Sequence, residues 1–270
     1  MTLLKYPRTR HVAGSRLQQG DLGDDMPVSG LRDRLLIIEE KLDGANCALS
    51  FTDGQLMLQS RGHYLNGGYR ERHFDLFKIW AHVHQARLHP VLGDRYVMYG
   101  EWMYAKHTVF YDRLPHYFME FDVYDRDESC FLSTSVRRDL LGGLPVMPVP
   151  LLHRGMIHDS DDITGLIRPS LYKSADWRDA LAVAAERSGS RSDFVAKQTE
   201  DSDLAEGLYI KDEPDNMVAG RYKYVRHDFL QAIASAEGHW QDRPILPNAL
   251  APGVDIFAPV LGTEGAYDAD

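Results

Sequence analysis

Short β-rich runs that end in charged residues constrain the fold of this chain more than any other feature. The first run, residues 36–41, is apolar at its start and ends in Lys41, and Gly44 opens a turn soon after it. A charge at the end of a buried strand is costly unless it has a partner or a function. A partly desolvated lysine beside other cations loses its proton more readily and becomes a nucleophile. Lys41 is therefore a candidate nucleophile, although an ordinary junction between a strand and a turn would look the same.

The periodicity of the chain predicts an α+β fold, with mainly antiparallel strands and with helices inserted between them. Asp53 and Gly54 separate two β-rich runs and are typical of a hairpin turn. Strands are expected at 35–40, 45–51, 55–60, 96–102, 117–124 and 207–211. Helices are expected at 71–88, 134–142, 176–188 and 227–237, with mostly loop at 142–150 and 188–206.

The length of 270 residues is enough for one large domain with its own core. We expect residues 1–240 to form that domain. Residues 241–270 are proline-rich and lack periodicity, so we expect an extended tail that frays at its end.

Composition excludes several classes of protein. The net charge of −10 argues against a protein that coats nucleic acid non-specifically, although a local basic cleft would still suit a nucleic-acid enzyme. The sequence contains no apolar run of about 18 residues, and its first residues lack a signal-peptide core. Cys47 and Cys130 have no metal-ligand spacing and are expected to be free thiols. Together these features predict a cytoplasmic protein.

Six segments place charged or aromatic residues within expected strands or at their ends, and as a set they suit a nucleoside triphosphate. Cations neutralise phosphate, carboxylates hold ribose hydroxyls or a divalent metal, and a flat aromatic ring stacks on a base. Each segment taken singly also has an ordinary explanation, such as a surface ion pair or a solvated strand face. The segments are 41–44, 60–62, 99–102, 121–122, 206–211 and 221–223.

In order and spacing, these segments resemble the motifs of the covalent nucleotidyltransferases, the superfamily of ATP-dependent ligases and mRNA capping enzymes. KLDG at 41–44 resembles the first motif, whose lysine becomes nucleotidylated, and SRG, YGEW, FD, EGLYIK and RYK resemble the motifs that follow. Residues 106–122 look most like RNA ligases of the nick-sealing type. The resemblance covers residues 35–230.

The resemblance implies a nucleotidyltransferase domain that works as an ATP-dependent RNA ligase in RNA repair. Such an enzyme joins 5′-phosphate and 3′-hydroxyl ends through a covalent lysyl-AMP, here on Lys41. It uses ATP and either Mg²⁺ or Mn²⁺. Its partner would be RNA, whose ends an end-healing kinase or phosphatase would prepare.

The resemblance also implies a role for each candidate residue. Phe121 would stack on adenine, and the main chain near Glu40 would read the edge of the base. Further expected contacts are Arg61 and Glu101 to the ribose, Arg221 and Lys223 to the α-phosphate, Glu206 to the metal or ribose, and Asp43 to the metal or phosphate. Arg221, Lys223 and the metal would lower the pKa of Lys41 by repulsion between like charges.

Three departures from the superfamily pattern affect the subclass. Arg221 stands where lysine is usual, and arginine keeps the charge but cannot act as a neutral amine. Asp43 is typical of DNA ligases and capping enzymes, whereas nick-sealing RNA ligases often lack it. About 45 residues follow Lys223, too few for an oligonucleotide-binding barrel, so no such C-terminal barrel is expected.

Three alternatives stay open from the sequence: a DNA ligase, a capping-type nucleotidyltransferase, and a non-catalytic RNA-binding descendant of the fold. The missing barrel favours RNA. Two segments that interleave basic and aromatic residues predict a nucleic-acid surface, although each could also be a loop packed by its own aromatics. Their residues are His63, Tyr64, Tyr69, Arg70 and Arg72, and Tyr104, Lys106, His107, Tyr111 and Arg113.

Overall fold

The computed structural model describes residues 3–17, 21, 25–229 and 245–259, which form an α+β fold with two sheets and flanking helices. The strands are β1 Arg10–His11, β2 Leu36–Lys41, β3 Ala45–Thr52, β4 Gln55–Ser60, β5 Tyr96–Trp102, β6 Phe118–Asp125, β7 Cys130–Phe131, β8 Met147–Pro148, β9 Leu151–Gly155, β10 Gly207–Asp212 and β11 Gly220–Val225. The helices are α1 Asp75–Leu92, α2 Thr134–Leu141, α3 Ser160–Thr164, α4 Trp177–Arg187 and α5 Ser192–Lys197, with 3₁₀ turns at Val28–Leu31 and Tyr69–Phe74.

The first sheet has the strand order β1-β11-β10-β2-β9, and the second has the order β4-β3-β5-β6-β7, with β8 beside β6. Pairing is antiparallel except between β1 and β11 and between β6 and β8. In the part of the chain that the structure describes, neither sheet closes into a barrel. The fold class that the sequence predicts is therefore confirmed.

The two faces of the first sheet differ because side chains alternate along its strands. One face is apolar and is buried against the turn at Val28–Leu31 and neighbouring loops. The opposite face is charged and looks across a cleft at the second sheet, as the ion pair between Lys211 and Asp122 at 3.0 Å shows. In the strand register, the residues of this charged face are Glu39, Lys41, Tyr209, Lys211, Arg221 and Lys223.

The second sheet has its main core on the side away from the cleft, where α1 covers it. Phe77 and Trp80 of α1 stack on Phe118 of β6, with ring centroids 5.7 and 4.9 Å from it. Gly100 makes this packing possible, because a Cβ there would lie 2.6 Å from the Phe118 ring. A β-bulge at Tyr99 and Gly100 adjusts the pairing just before Glu101.

A buried ion network joins the two sheets. Arg137 of α2 contacts Glu120 at 2.8 Å and also pairs with Glu39 of β2. Lys211 of β10 contacts Glu39 at 2.9 Å and reaches Asp122 across the cleft. All five side chains are almost fully buried. Ions removed from water in this way are tolerated only where each has an opposite charge and hydrogen bonds, so the network fixes how the sheets face each other.

The expected strands are all present within a residue or two of their predicted bounds. The helix expected at 71–88 begins as the 3₁₀ turn at Tyr69–Phe74 and continues through Leu92. The expected loops contain β8 and α5, and β9 and α3 were not predicted, because these four elements are too short to show a period. The helix expected at 227–237 lies mostly outside the described residues.

Residues 245–259 run along the domain with isolated bridges and turns, and Asn248 anchors them. The side-chain oxygen of Asn248 accepts the Tyr111 N–H at 2.9 Å, and its amide donates to the Met103 carbonyl at 2.7 Å. Further along, the Ile256 carbonyl meets the ring of His84 at 3.2 Å. This part of the expected tail is therefore hydrogen-bonded into the core. The domain boundary at residue 240 stays a prediction.

Replacing Arg137 by methionine should destabilise the protein by about 3–5 kcal/mol, because Glu39 and Glu120 would lose their buried partner. The matched control is Arg178→Met. The half-exposed Arg178 side chain pairs with exposed Asp201 and Asp203, so its loss should lower the free energy of unfolding by less than about 1 kcal/mol. Urea titration followed by tryptophan fluorescence measures both. Equal shifts in the two midpoints would contradict the structural role of the network.

Candidate active site

Lys41 lies at the last position of β2, where the register places it opposite Gly207 of β10. Its amine meets the carboxylate of Glu206, the residue that precedes β10, at 2.7 Å. The Lys41 side chain is 25% exposed, whereas that of Glu206 is 4% exposed. The nucleophile candidate is thus reachable from the cleft, and its partner is held inside the protein.

The turn after Lys41 brings a second carboxylate towards the amine. The Gly44 N–H donates to Glu101 of β5 at 3.1 Å. Any larger residue at 44 would be excluded, because its Cβ would lie 2.8 Å from both the Trp102 carbonyl and the Met103 sulfur. The glycine of the first motif therefore allows β2 and the second sheet to approach closely.

Asp43 holds a neighbouring loop against this turn. Its Oδ2 accepts the N–H groups of Thr108 and Val109, each at 2.7 Å. The Asp43 N–H in turn donates to the Tyr111 hydroxyl at 3.0 Å. Since Tyr111 is also bound to Asn248, the nucleophile turn is connected to the core through the 245–259 segment.

The surroundings of Lys41 are acidic, which corrects one expectation from the sequence. Burial alone would lower the pKa of Lys41, but the carboxylates of Glu206, Glu101 and Asp43 outweigh it, and the pKa lies above its ordinary value. Burial raises the pKa of Glu206 to about 7 and that of Glu101 to about 8. The amine is therefore protonated at neutral pH, and Arg221 and Lys223 do not outweigh these carboxylates.

Arg221 and Lys223 share the charged face with Lys41 but differ in distance from it. Lys41 is level with Val225 of β11, so Lys223 lies two residues away along that strand and Arg221 lies four, which is roughly 13 Å. Lys223 binds Asp21 at 2.7 Å. Arg221 lies over the Phe131 ring at 3.8 Å. The structure thus brings Lys223 towards the nucleophile and places Arg221 at the far end of the cleft.

Phe121 contacts a residue that the sequence analysis missed. The ring of Tyr6 meets the ring of Phe121 edge-on at 5.2 Å and the ring of Tyr99 at 5.0 Å. The Tyr6 hydroxyl binds Asp122 and Tyr209, one residue from each sheet. The N-terminal segment therefore lies in the cleft beside the ring expected to stack on adenine. No periodicity or local motif around Tyr6 could have indicated this contact.

The other candidates have mixed placements. The Glu40 side chain points to the face opposite Lys41 and accepts the hydroxyl of Ser170, and its main-chain N–H donates to the Pro150 carbonyl at 3.0 Å. Arg61 is exposed at the end of β4. In the second expected nucleic-acid segment, Tyr111 is buried and bonded to Asp43, so its assignment to a surface was wrong.

The acidic groups around Lys41 have the chemistry of a divalent-cation site without forming a complete one. Within the described ranges, no three His, Cys, Asp or Glu side chains converge closely enough to hold a metal ion together. However, three carboxyl groups, those of Glu206, Glu101 and Asp43, lie close enough to the Lys41 amine for their charges to act on it. Mg²⁺ typically binds one or two protein carboxylates together with substrate phosphates. The residues therefore fit a cation that arrives with a nucleotide.

A two-sheet cleft with an amine and carboxylates at one end fits the nucleotidyltransferase class that the motifs indicate. A family model described as RNA ligase matches residues 34–225, well over half of the sequence. The chain therefore belongs to the RNA ligase family.

Solved structures of a Naegleria gruberi RNA ligase also match. The structure with pyrophosphate has 17% identity and a TM-score of 0.46, over 84% of this chain and 61% of that one. A mutant without ligand has 17% identity and a TM-score of 0.48, over 83% and 62%. A mutant with ATP and Mn has 17% identity and a TM-score of 0.45, over 83% and 63%. This chain spans about three fifths of their length. No curated protein matches it.

Replacing Glu101 by glutamine should stabilise the protein relative to wild type as pH rises from about 5 to 8. A buried carboxyl whose pKa is raised to about 8 binds its proton more tightly in the folded state, so wild-type stability falls with rising pH across this window. The difference in unfolding free energy between Glu101→Gln and wild type can grow by at most about 1.4 kcal/mol per pH unit. Urea unfolding midpoints of both proteins at several pH values measure this difference. A difference that shrinks as pH rises would contradict the raised pKa of Glu101.

Proposed function

We propose that this chain is an ATP-dependent RNA ligase that joins a 5′-phosphate to a 3′-hydroxyl through a lysyl-AMP intermediate on Lys41. The observation that carries the proposal is the position of Lys41, a reachable amine at a strand end, in contact with buried Glu206 and close to Glu101 and Asp43. Membership of the RNA ligase family supports ligation as the overall reaction.

In the first step, Lys41 Nζ forms a bond to the α-phosphorus of ATP as the bond from that phosphorus to the pyrophosphate oxygen breaks. Nζ must lose a proton before it can attack. Glu206, 2.7 Å away and with a pKa of about 7, is placed to receive that proton. A divalent cation held by Asp43 with the phosphates would supply positive charge that favours the neutral amine and stabilises the transferring group.

The nucleotide would extend from Lys41 into the cleft. We assign the α-phosphate to Lys223, the ribose to Arg61 and Glu101, and the base to Phe121 and the main chain at Glu40. Arg221 is left out of this assignment, because it lies four residues along β11 from the position level with Lys41. Two features support a base near Phe121. The ring lies at the cleft on β6, and its neighbours Tyr6 and Tyr209 are flat aromatics too. The base would lie beside Tyr6 or in its place.

The two later steps follow the same in-line chemistry. An oxygen of the RNA 5′-phosphate attacks the AMP phosphorus as the bond to Nζ breaks, which returns the lysine. The RNA 3′-hydroxyl then attacks the activated 5′-phosphorus, and AMP leaves as the phosphodiester forms. Here the protein mainly orients the reactants and neutralises charge.

RNA repair in the cytoplasm, after a kinase or phosphatase has prepared the ends, belongs to the same proposal. The two cysteines are free thiols, which suits a reducing compartment. None of the described helices combines the length and apolarity that a membrane crossing requires.

The segment after β4 offers a surface for the RNA. Tyr69 is 66% exposed, and the Arg72 guanidinium lies 4.5 Å from its ring centroid. Arg61 and Arg70 are exposed on the same segment, whereas its acid, Glu71, is buried and bonded to the N–H groups of Asn66 and Gly67. An exposed ring among cations suits a stacked base and its phosphates.

Incubation with ATP and Mn²⁺ or Mg²⁺ should add the mass of one adenylyl group to the intact protein. Lys41→Ala should abolish this adduct, because it removes the only proposed nucleophile. Lys173→Ala is the matched control, since Lys173 is another half-buried lysine, whose pKa burial lowers to about 8. An adduct that persists in Lys41→Ala, or none in wild type with any nucleotide, would contradict the proposal.

The same assay separates the alternatives. Labelling by GTP in preference to ATP would indicate a capping-type enzyme. Sealing of nicked DNA in preference to nicked RNA would indicate a DNA ligase. RNA binding that is equal with and without Lys41, in the absence of any adduct, would indicate a non-catalytic RNA-binding protein.

The double variant Tyr69→Ala, Arg70→Ala should bind single-stranded RNA more weakly, by about 1–3 kcal/mol for each lost stacking contact. Formation of the lysyl-AMP should be unchanged, because neither Tyr69 nor Arg70 is among the residues assigned to the nucleotide. Fluorescence anisotropy with labelled RNA measures the affinity. Arg191→Ala, which removes an exposed arginine elsewhere, is the control. Unchanged RNA affinity in the double variant would exclude this surface.

A further inference from the structure

Lys223 has two neighbours that the sequence motifs do not include, His11 and Asp21. His11 of β1 lies directly opposite Lys223 of β11 in the parallel pair, so both side chains lie on the charged face of the first sheet. The Val12 N–H donates to the Lys223 carbonyl at 2.9 Å, which holds β1 beside β11 at this point. The N-terminal segment is thus part of the wall that carries Lys223.

Asp21 bridges these two residues. One carboxylate oxygen of Asp21 contacts Lys223 Nζ at 2.7 Å, and the other contacts His11 Nε2 at 2.8 Å. The side chains of Asp21 and Lys223 are 17% and 18% exposed, and that of His11 is fully buried. Both oxygens of Asp21 are therefore engaged, and the lysine amine is held in one direction.

The imidazole is fixed at its other nitrogen as well. His11 Nδ1 lies 2.6 Å from the Ser15 hydroxyl, and the same hydroxyl oxygen accepts the Val225 N–H at 2.9 Å. Val225 is the β11 residue level with Lys41. The contacts thus run from the backbone beside the nucleophile through Ser15, His11 and Asp21 to the Lys223 amine.

We propose that Asp21 and His11 are positioning residues, which hold the Lys223 amine towards the phosphate that Lys41 attacks. Lys223 is close enough for its charge to act on Glu206, the partner of Lys41. Its backbone is roughly 10 Å across the sheet from Lys41 and 7 Å along it, a span that two long lysine side chains bridge with one phosphate between them. This inference rests on the proposed function.

Conformational entropy is the reason why such a support is needed. A lysine without neighbours loses rotamer entropy when it is fixed in one orientation, whereas an amine that is already ordered loses little more when ATP binds. The ionisable groups that face His11 are Asp21, Asp25 and Lys223. Burial and the charge of Lys223 together lower the pKa of His11, so the ring is neutral near pH 7, with its Nε2 in contact with Asp21 at 2.8 Å.

A double-mutant cycle on lysyl-AMP formation tests the positioning role. Asp21→Asn should slow the single-turnover rate roughly 10-fold, as loss of a supporting contact commonly does, with a small change in the KM for ATP. Lys223→Ala should slow it further, and Asp21→Asn should add nothing in the Lys223→Ala background. Asp21→Glu should recover part of the rate. Asp33→Asn, the same change at an exposed aspartate outside the contacts of His11 and Lys223, should match wild type.

Several results would overturn the inference. Asp21→Asn with an unchanged rate, or with an effect that adds fully to that of Lys223→Ala, would mean that Asp21 does not act through Lys223. A lower KM for ATP in Asp21→Asn would mean that Asp21 competes with the nucleotide for the lysine instead of positioning it.

A second measurement does not depend on activity. If wild type forms no adduct, the proposed function fails, and proton–carbon NMR titration of the His11 ring, assigned with His11→Asn, still tests the bridge. Lys223→Met should raise the pKa of His11, because the charge of Lys223 lowers that pKa. Asp21→Asn should lower the pKa of His11, because the Asp21 carboxylate raises it. A ring that titrates identically in wild type and both variants would overturn the bridge itself.

Discussion

The buried ion network between the two sheets is the contact on which the rest of the site depends. Glu39 of β2 is held by Arg137 of α2 and Lys211 of β10, and Lys211 continues to Asp122 of the second sheet. A charge with no partner at that depth would cost several kcal/mol, so the network tolerates only one alignment of the sheets. Lys41 lies two residues beyond Glu39 on the same strand face, and its direction follows from that alignment.

Within this frame, the site places three carboxyl groups near a single amine. Glu206, Glu101 and Asp43 raise the pKa of Lys41, and burial raises those of Glu206 and Glu101. Under the proposed function, positive charge that enters with a nucleotide would oppose these carboxylates and favour the neutral form of the amine.

Much of this could be predicted from the sequence where the signal is local. Alternation predicted the long strands, and Lys41, Glu101 and Glu206 were found from charges at strand ends. The same reasoning marked Asp122 as costly, but it could not find its partner, because Lys211 is distant in sequence and is brought near only by sheet pairing. Tyr6 and Asp21 lie in a segment with no period, so their contacts could not be predicted. Arg221 shares a face with Lys223, yet the register places it away from Lys41.

The most direct test of the account is to locate the adenylyl group after incubation with ATP and a divalent cation. The adducted protein is digested under conditions that preserve a phosphoramidate, and the peptides are sequenced by tandem mass spectrometry. The account predicts that the adenylyl group is on the Nζ of Lys41 alone. An adenylyl group on any other residue, with Lys41 unmodified, would contradict it.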